Sequence, residues 1–107
     1  MEISETQKQV DQKIHDYGGY WEPLSMMARI TEENGELARA LNIKYGGKKS
    51  KHDSDGRDVE KELADVLFTT LAIANKEGID LEKEFAEKVK FDENKLKEIY
   101  NDNTNTE

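Results

Sequence analysis

The chain has 107 residues, of which 35% are hydrophobic and 37% are charged, and its formal net charge is -8. This length suits one domain. The charge disfavours binding to a nucleic acid polymer or to an anionic membrane surface, because both kinds of binding depend on clusters of Lys and Arg. The chain contains no cysteine, which excludes disulfide bonds and thiolate metal sites.

Two further features bear on location and assembly. No apolar stretch approaches the ~18 residues that cross a bilayer, and residues 1–5 lack the basic start and apolar run of a signal peptide. We therefore expect a soluble cytoplasmic protein without a membrane partner. The apolar fraction is small for a self-sufficient core, so we also expect a second copy to complete the core.

The spacing of apolar residues predicts helices joined by short breaks, and therefore an all-α fold. The first helix is predicted over residues 2–17. The second is predicted to begin at Pro23, a residue that favours the first helical turn, and to end at Gly46-Gly47.

The second half of the chain predicts two more helices. The third is expected to start near Asp55 or Asp58 and to end at Gly78. Asp80 is a suitable N-cap for a fourth helix that runs to about residue 100. The tail at 101–107 has nothing to bury, so we expect one domain over 1–100 and a frayed tail.

The third helix contains an almost wholly apolar stretch from Leu63 to Ala74, in which Asp65 is the one charged residue. A helix that is apolar on every side is normally central and buried. Because a buried, unpaired carboxylate costs several kcal/mol, we expect a cation to meet Asp65.

Two pairs of carboxylates have a spacing of three residues, which places each pair on one side of a helix. Glu33 and Glu36 lie on the second helix, and Glu62 and Asp65 on the third. Antiparallel packing of the two helices would bring the four together, where they would repel each other without a hard divalent cation. Oxygen ligands without His or Cys suit Mg²⁺ or Mn²⁺. Such ions would also allow an acidic protein to bind a polyphosphate.

The alternative is that these pairs are solvated faces or surface ion pairs. The chain has 24 acidic residues, so pairs three apart also arise by chance. Spacing alone leaves both interpretations open.

A wider pattern includes the same carboxylates. The segment MMARITEENGELAR at 26–39, followed by ELADVLF at 62–68, resembles the MazG family, in particular the short, single-domain MazG-like proteins of the all-alpha nucleoside triphosphate pyrophosphohydrolase superfamily. The family pattern Glu-Glu-x-x-Glu, a spacer and Glu-x-x-Asp is met by Glu32, Glu33, Glu36, Glu62 and Asp65. With similar stretches at 71–75, 78–81 and 90–94, the resemblance covers about residues 20–100.

The resemblance implies a fold and a reaction. The fold would be a four-helix MazG-like bundle completed by homodimerisation, and some relatives are tetramers. Family members hydrolyse nucleoside triphosphates between the α and β phosphates. The implied Mg²⁺ ligands are Glu33, Glu36, Glu62 and Asp65, and one of these or Glu32 would orient or deprotonate the attacking water.

The resemblance also implies that Lys90 and Asn94 on the last helix help hold phosphates and ligands. The remaining candidates for substrate binding come from residue chemistry. Trp21 can stack on a nucleobase, which is worth ~1–3 kcal/mol, or it can anchor its loop. Asn75 can bond to a base edge or be a polar residue late in its helix. Lys48 can reach a phosphate or be solvated.

Other functions stay open at this point. Phosphoribosyl-ATP pyrophosphohydrolase has a similar fold and carboxylate pattern. A non-enzymatic helical interaction module could keep the motif as a scaffold, and a dUTP-specific relative would differ only in its substrate. We expect a nucleotide pyrophosphohydrolase, with nucleotide-pool house-cleaning as its role.

Overall fold

The computed structural model describes residues 2–46 and 59–105, with side chains described as far as residue 101. These residues form four α-helices and no strand. The helices are α1 (Ile3–Asp16), α2 (Pro23–Lys44), α3 (Val59–Lys76) and α4 (Leu81–Asn105). The predicted all-α fold with four helices is confirmed for this part of the chain.

The predicted starts of two helices follow from local chemistry. Pro23 occupies the first turn of α2, where its missing N–H has no helical partner to lose. Asp80 caps α4, because its Oδ1 accepts a hydrogen bond of 3.2 Å from the main-chain N–H of Lys83.

The ends of α2 and α3 depend on glycines in the left-handed region. Gly78 has a φ of 69°, and the main-chain N–H of the next residue, Ile79, donates to the carbonyl of Ala74 at 2.8 Å. This bond satisfies one of the carbonyls left open at the end of a helix. Gly46 ends α2 with a φ of 77°. The adjoining Gly47 lies outside the described residues.

The end of α4 differs from the prediction. The helix continues to Asn105, so the predicted end near residue 100 is wrong. Residues 101–105 have low helix propensity, but they contain no glycine or proline that would break the helix. The division into a domain over 1–100 and a tail over 101–107 stays a prediction.

Helix α3 lies between α1 and α2 and packs against both, while α4 contacts α1. Helix α3 is antiparallel to α1, since Gln7 and Lys13 lie near Asn75 and Phe68 respectively. It is also antiparallel to α2, where Glu33 lies near Thr69 and Glu36 near Asp65. A small core forms where α1, α2 and α3 meet. Its buried members are Val10, Met26, Leu71 and Ala72.

The side of α3 that faces away from α1 and α2 is open. Leu63 and Leu67 on this side are 53% and 55% exposed. Asp65 lies on the side of α3 that faces α2, and it is open to solvent as well. The prediction of a helix buried on all sides, with Asp65 inside it, is therefore wrong for the single chain. The physical reason is that two neighbouring helices cover only one side of a third.

Helix α4 also has uncovered apolar side chains. Four of them recur along one face and form what we call the α4 stripe: Phe85, Val89, Leu96 and Ile99. The radius of gyration is 18.4 Å, whereas a compact chain of this length has a value of about 13 Å. The single chain is therefore elongated and not compact, and much of its apolar surface is in contact with water.

Candidate metal centre and nucleotide cavity

Three of the predicted carboxylates meet between α2 and α3. Glu36, Glu62 and Asp65 each offer an oxygen, and these oxygens all lie within 4.8 Å of one another. Glu62 is buried, at 2% exposure, while Glu36 and Asp65 are open to solvent. The antiparallel contact of the two helices creates this carboxylate trio from residues that are far apart in the sequence.

The trio suits a hard divalent cation. Its ligand atoms are all carboxylate oxygens, the type that Mg²⁺ and Mn²⁺ prefer. Three carboxylates at this separation repel one another, most strongly where burial lowers the local dielectric constant. A cation among them removes that repulsion, and the two exposed members leave room for water or phosphate ligands.

Glu33 has a different environment from the trio. It is 3% exposed, and its Oε1 accepts a hydrogen bond from the hydroxyl of Thr69 on α3. Arg29 lies one turn earlier on α2, with its Nε 3.7 Å from the same oxygen. The Nη1 of Arg29 is also 3.8 Å from Oε2 of Glu32. Arg29 therefore contacts both glutamates at the start of the family motif.

A cavity of about 330 Å³ adjoins these carboxylates. This volume falls in the range of small-ligand sites, which is about 300–1,000 Å³. Glu33 and Asp65 lie in its wall. The other wall residues come from α1, the α1–α2 loop, α2 and α3, and include Lys13, Tyr17, Tyr20, Trp21, Arg29, Phe68 and Thr69.

The cavity combines aromatic rings with positive charge. Lys13 places its Nζ 5.5 Å from the centre of the Phe68 ring, a cation–π contact. Arg29 supplies a second cation on the side of Glu33. Aromatic faces can stack on a nucleobase and cations can meet phosphate oxygens, so this wall complements both parts of a nucleotide.

Trp21 lies in the cavity wall and is 59% exposed. A residue that only anchored the loop would bury its ring. The position in the single chain therefore favours the stacking role over the anchoring role.

Tyr20 holds the loop that carries Trp21. Its hydroxyl donates a hydrogen bond of 2.5 Å to Oδ1 of Asp11 on α1. Burial, followed by this bond, raises the pKa of Tyr20 to about 12. The hydroxyl therefore stays protonated at neutral pH and keeps its bond to α1.

The structure places three of the remaining substrate-binding candidates, Asn75, Lys90 and Asn94, outside the cavity wall. The side-chain amide of Asn75 is hydrogen-bonded to Gln7. This contact agrees with the second interpretation of Asn75, a polar residue late in its helix. Lys90 and Asn94 are exposed on α4 and belong neither to the cavity wall nor to the trio. Lys48 lies outside the described residues. Substrate binding by these four residues stays a prediction.

Sequence reasoning missed several residues of the site. Arg29 had a usable signal, because it lies four residues before Glu33, the spacing of a helical ion pair. Thr69 had a weaker signal, as one of two hydroxyl residues in the largely apolar stretch of α3. Lys13 and Phe68 had none, since their positions depend on how α1 packs on α3.

The match to known proteins agrees with this geometry. A family model described as the MazG nucleotide pyrophosphohydrolase domain matches residues 21–97, which is most of the chain. The chain belongs to the MazG family. The matched residues include the carboxylate trio, Glu33 and Trp21, while Lys13 lies before them.

Individual relatives are similar over most of their length. The Bacillus subtilis (strain 168) protein YpjD is 45% identical over 82 residues, which cover 76% of this chain and 74% of YpjD. The crystal structure of a Bacillus-conserved MazG protein, a nucleotide pyrophosphohydrolase, has a TM-score of 0.67 and 41% identity, covering 87% of this chain and 88% of that one. The structure of YpjD from Bacillus subtilis, described as a putative pyrophosphatase, also has a TM-score of 0.67, with 40% identity and coverage of 81% and 90%.

Membership of the family indicates a hydrolase that acts on phosphoric anhydrides. Hydrolases of this family depend on divalent metal ions, and the trio supplies a donor set that fits one. Within the described part of the chain, no helix has the length and hydropathy needed to cross a membrane.

Proposed function

We propose that this MazG protein is a Mg²⁺-dependent nucleotide pyrophosphohydrolase that cleaves nucleoside triphosphates between the α and β phosphates. The products are a nucleoside monophosphate and pyrophosphate. The observation that supports this proposal most strongly is the position of Asp65, which belongs to the carboxylate trio and also lies in the cavity wall. A nucleotide in the cavity would bring its phosphates next to the ligands of the metal.

The carboxylates perform two tasks in this proposal, metal binding and proton transfer. Glu33, Glu36, Glu62 and Asp65 hold Mg²⁺, with Mn²⁺ as an alternative ion. The bound ion supplies positive charge for the phosphate oxygens and the leaving group and lowers the pKa of water. One of these carboxylates, or Glu32, accepts the proton of the attacking water. The water oxygen then bonds to phosphorus as the bond to the leaving group breaks.

The cavity wall positions the rest of the nucleotide. Trp21 stacks on the base, while Lys13 and Arg29 face negative charge on the substrate. We also propose that Lys90 and Asn94 contact phosphates or metal ligands. Because both are remote from the cavity in the single chain, they would reach it only in an oligomer.

A homo-oligomer also accounts for the uncovered apolar surface. We propose that a second copy covers Leu63, Leu67 and the α4 stripe, giving a dimer or a tetramer. Burial of apolar area is worth roughly 25 cal/mol per Å², so these exposed side chains favour association strongly. Light scattering coupled to size-exclusion chromatography should give a multiple of the 12.3 kDa chain mass, and a monomer would contradict this part of the proposal.

The role that fits this activity is removal of unwanted nucleotides from the cytoplasmic pool. It is tested by incubating the protein with canonical nucleotides, damaged nucleotides and phosphoribosyl-ATP, with Mg²⁺ or with EDTA, and separating the products by chromatography. Turnover that EDTA abolishes supports the proposal and ranks the substrates. Turnover of phosphoribosyl-ATP alone would move the assignment to histidine biosynthesis, and no turnover at all would favour an interaction module.

A further inference from the structure

Thr69 forms an unusual contact for a threonine within a helix. A helical threonine commonly donates its hydroxyl to the carbonyl four residues earlier. Thr70 does so with Val66 at 2.8 Å, and Thr31 does so with Met27 at 2.9 Å. Thr69 instead donates across the interface between α3 and α2, to a carboxylate oxygen of Glu33.

This contact is buried and is directed at one atom. Thr69 and Glu33 are both buried. The hydroxyl of Thr69 and the Nε of Arg29 approach the same oxygen, Oε1. Both contacts are to Oε1, so they fix the orientation of the carboxylate. No described residue donates a hydrogen bond to Oε2, which is therefore available to another partner.

We propose that Thr69 is a positioning residue, whose hydroxyl acts with Arg29 to fix Oε1 of Glu33 so that Oε2 stays available for the divalent cation of the trio. This inference rests on the proposed role of Glu33 as a metal ligand. It assigns a function to a residue outside the Glu-Glu-x-x-Glu and Glu-x-x-Asp pattern.

The physical reason is the conformational entropy that a freely rotating carboxylate loses when it binds a cation. A carboxylate that has one oxygen fixed loses less rotational freedom when its other oxygen binds a cation. Hydrogen-bond partners that orient metal ligands in this way typically contribute about 10–100-fold to metal affinity or activity. Arg29 alone is a weaker restraint, because its Nε is 3.7 Å from the oxygen and is partly solvated.

The test is a titration of the protein with Mn²⁺ in the absence of nucleotide, in which electron paramagnetic resonance measures the concentration of free Mn²⁺. Thr69→Val keeps the shape of the side chain and removes the hydroxyl, whereas Thr69→Ser keeps the hydroxyl. Thr70→Val is the matched control, since it removes a neighbouring hydroxyl that bonds only within α3. We expect Thr69→Val to bind Mn²⁺ about 10–100-fold more weakly, with both other variants close to the wild type.

Two results would overturn the proposal. Unchanged Mn²⁺ affinity in Thr69→Val, with or without a loss of thermal stability, would leave Thr69 a purely structural role. Equal weakening in Thr69→Val and Thr69→Ser would show that any change of packing at residue 69 weakens Mn²⁺ binding, and would not assign the effect to the hydroxyl. If the valine variant does not fold, as judged by circular dichroism, Thr69→Ala provides the same comparison.

The proposed function is tested separately by pyrophosphate release from the wild type. An active wild type with a Thr69→Val variant that binds Mn²⁺ normally would refute only the positioning role. A wild type that binds Mn²⁺ but hydrolyses no nucleotide would refute only the proposed reaction. A wild type that binds no Mn²⁺ would refute the positioning role together with the metal site.

Discussion

Gln7 and Asn75 bond to each other twice across the interface between α1 and α3. The Nε2 of Gln7 donates to Oδ1 of Asn75 at 3.0 Å, and the Nδ2 of Asn75 donates to the main-chain oxygen of Gln7 at 2.8 Å. Gln7 also accepts a hydrogen bond of 3.1 Å from the main-chain N–H of Leu81 at the start of α4. This pair therefore fixes the positions of three helices relative to one another.

Substitution of Asn75 separates its two possible roles. Asn75→Ala removes both bonds to Gln7, and we expect it to lower the free energy of unfolding by about 1–3 kcal/mol. We expect the KM for nucleotides to stay unchanged, because Asn75 does not line the cavity. Urea unfolding and steady-state kinetics measure the two quantities.

Gln12→Ala is the control for Asn75→Ala, since Gln12 is exposed and bonds to Asp16 within α1. Its unfolding free energy should change by less than about 0.5 kcal/mol. A raised KM with unchanged stability in Asn75→Ala would instead assign Asn75 to substrate binding.

We expect substitutions in the carboxylate trio to lower activity without lowering thermal stability. Glu36→Gln removes a proposed metal ligand, so kcat/KM should fall by more than roughly 100-fold, because loss of residues that only orient such ligands already costs about 10–100-fold. Asp65→Asn should behave in the same way. The metal-free melting temperature should stay equal or rise, because one of three mutually repelling charges is removed.

Glu60→Gln is the matched control for these two variants, since Glu60 is an exposed acidic residue on α3 outside the trio. It should keep wild-type activity. Full activity in Glu36→Gln or Asp65→Asn would exclude the proposed metal site.

Trp21 predicts an effect on substrate binding. Removal of a stacking partner costs about 1–3 kcal/mol per base, so Trp21→Ala should raise KM by about 5–150-fold with little change in melting temperature. Trp21→Phe should retain part of the affinity. Leu24→Ala, at a neighbouring exposed position outside the cavity wall, should leave KM unchanged. A loss of stability with an unchanged KM in Trp21→Ala would favour the anchoring role.

The raised pKa of Tyr20 predicts that the free energy of unfolding decreases at alkaline pH. Its pKa in the folded protein is about 12, against 10.0 for an unperturbed tyrosine, so the folded state holds the proton more tightly. The resulting stabilisation is complete below pH 10 and is lost progressively between pH 10 and 12. Tyr20→Phe lacks this contribution, so the difference in unfolding free energy between wild type and variant should narrow over that range.

Urea unfolding at a series of pH values from 8 to 11.5 measures this narrowing. Tyr45→Phe, which alters an exposed tyrosine, should show a constant difference from the wild type. A constant difference in Tyr20→Phe as well would show that folding does not raise the pKa of Tyr20.

The sequence predicted the helices well because their limits depend on local chemistry. Pro23, Asp80 and Gly78 act through their own backbone or side chain within one turn, so their effect can be recognised without the fold. The meeting of Glu36 with Glu62 and Asp65 could also be predicted, since helical spacing and antiparallel packing are enough to bring them together.

The exposure of Asp65 could not be predicted in this way. Apolar periodicity shows which surfaces of a helix avoid water, but it does not show whether the same chain covers them. The uncovered Leu63 and Leu67 illustrate this limit. The contacts of Lys13 with Phe68, and of Thr69 with Glu33, depend on the rotation of one helix against another, which a single sequence does not specify.

The central claim is hydrolysis between the α and β phosphates, and ³¹P nuclear magnetic resonance of the products tests it most directly. The purified wild-type protein is incubated with a deoxynucleoside triphosphate and Mg²⁺, with Glu36→Gln as the inactive control. The account predicts signals of a monophosphate and pyrophosphate in equal amounts, and none with EDTA or with Glu36→Gln. Signals of a diphosphate and orthophosphate would contradict it, because they would show cleavage at the terminal phosphate.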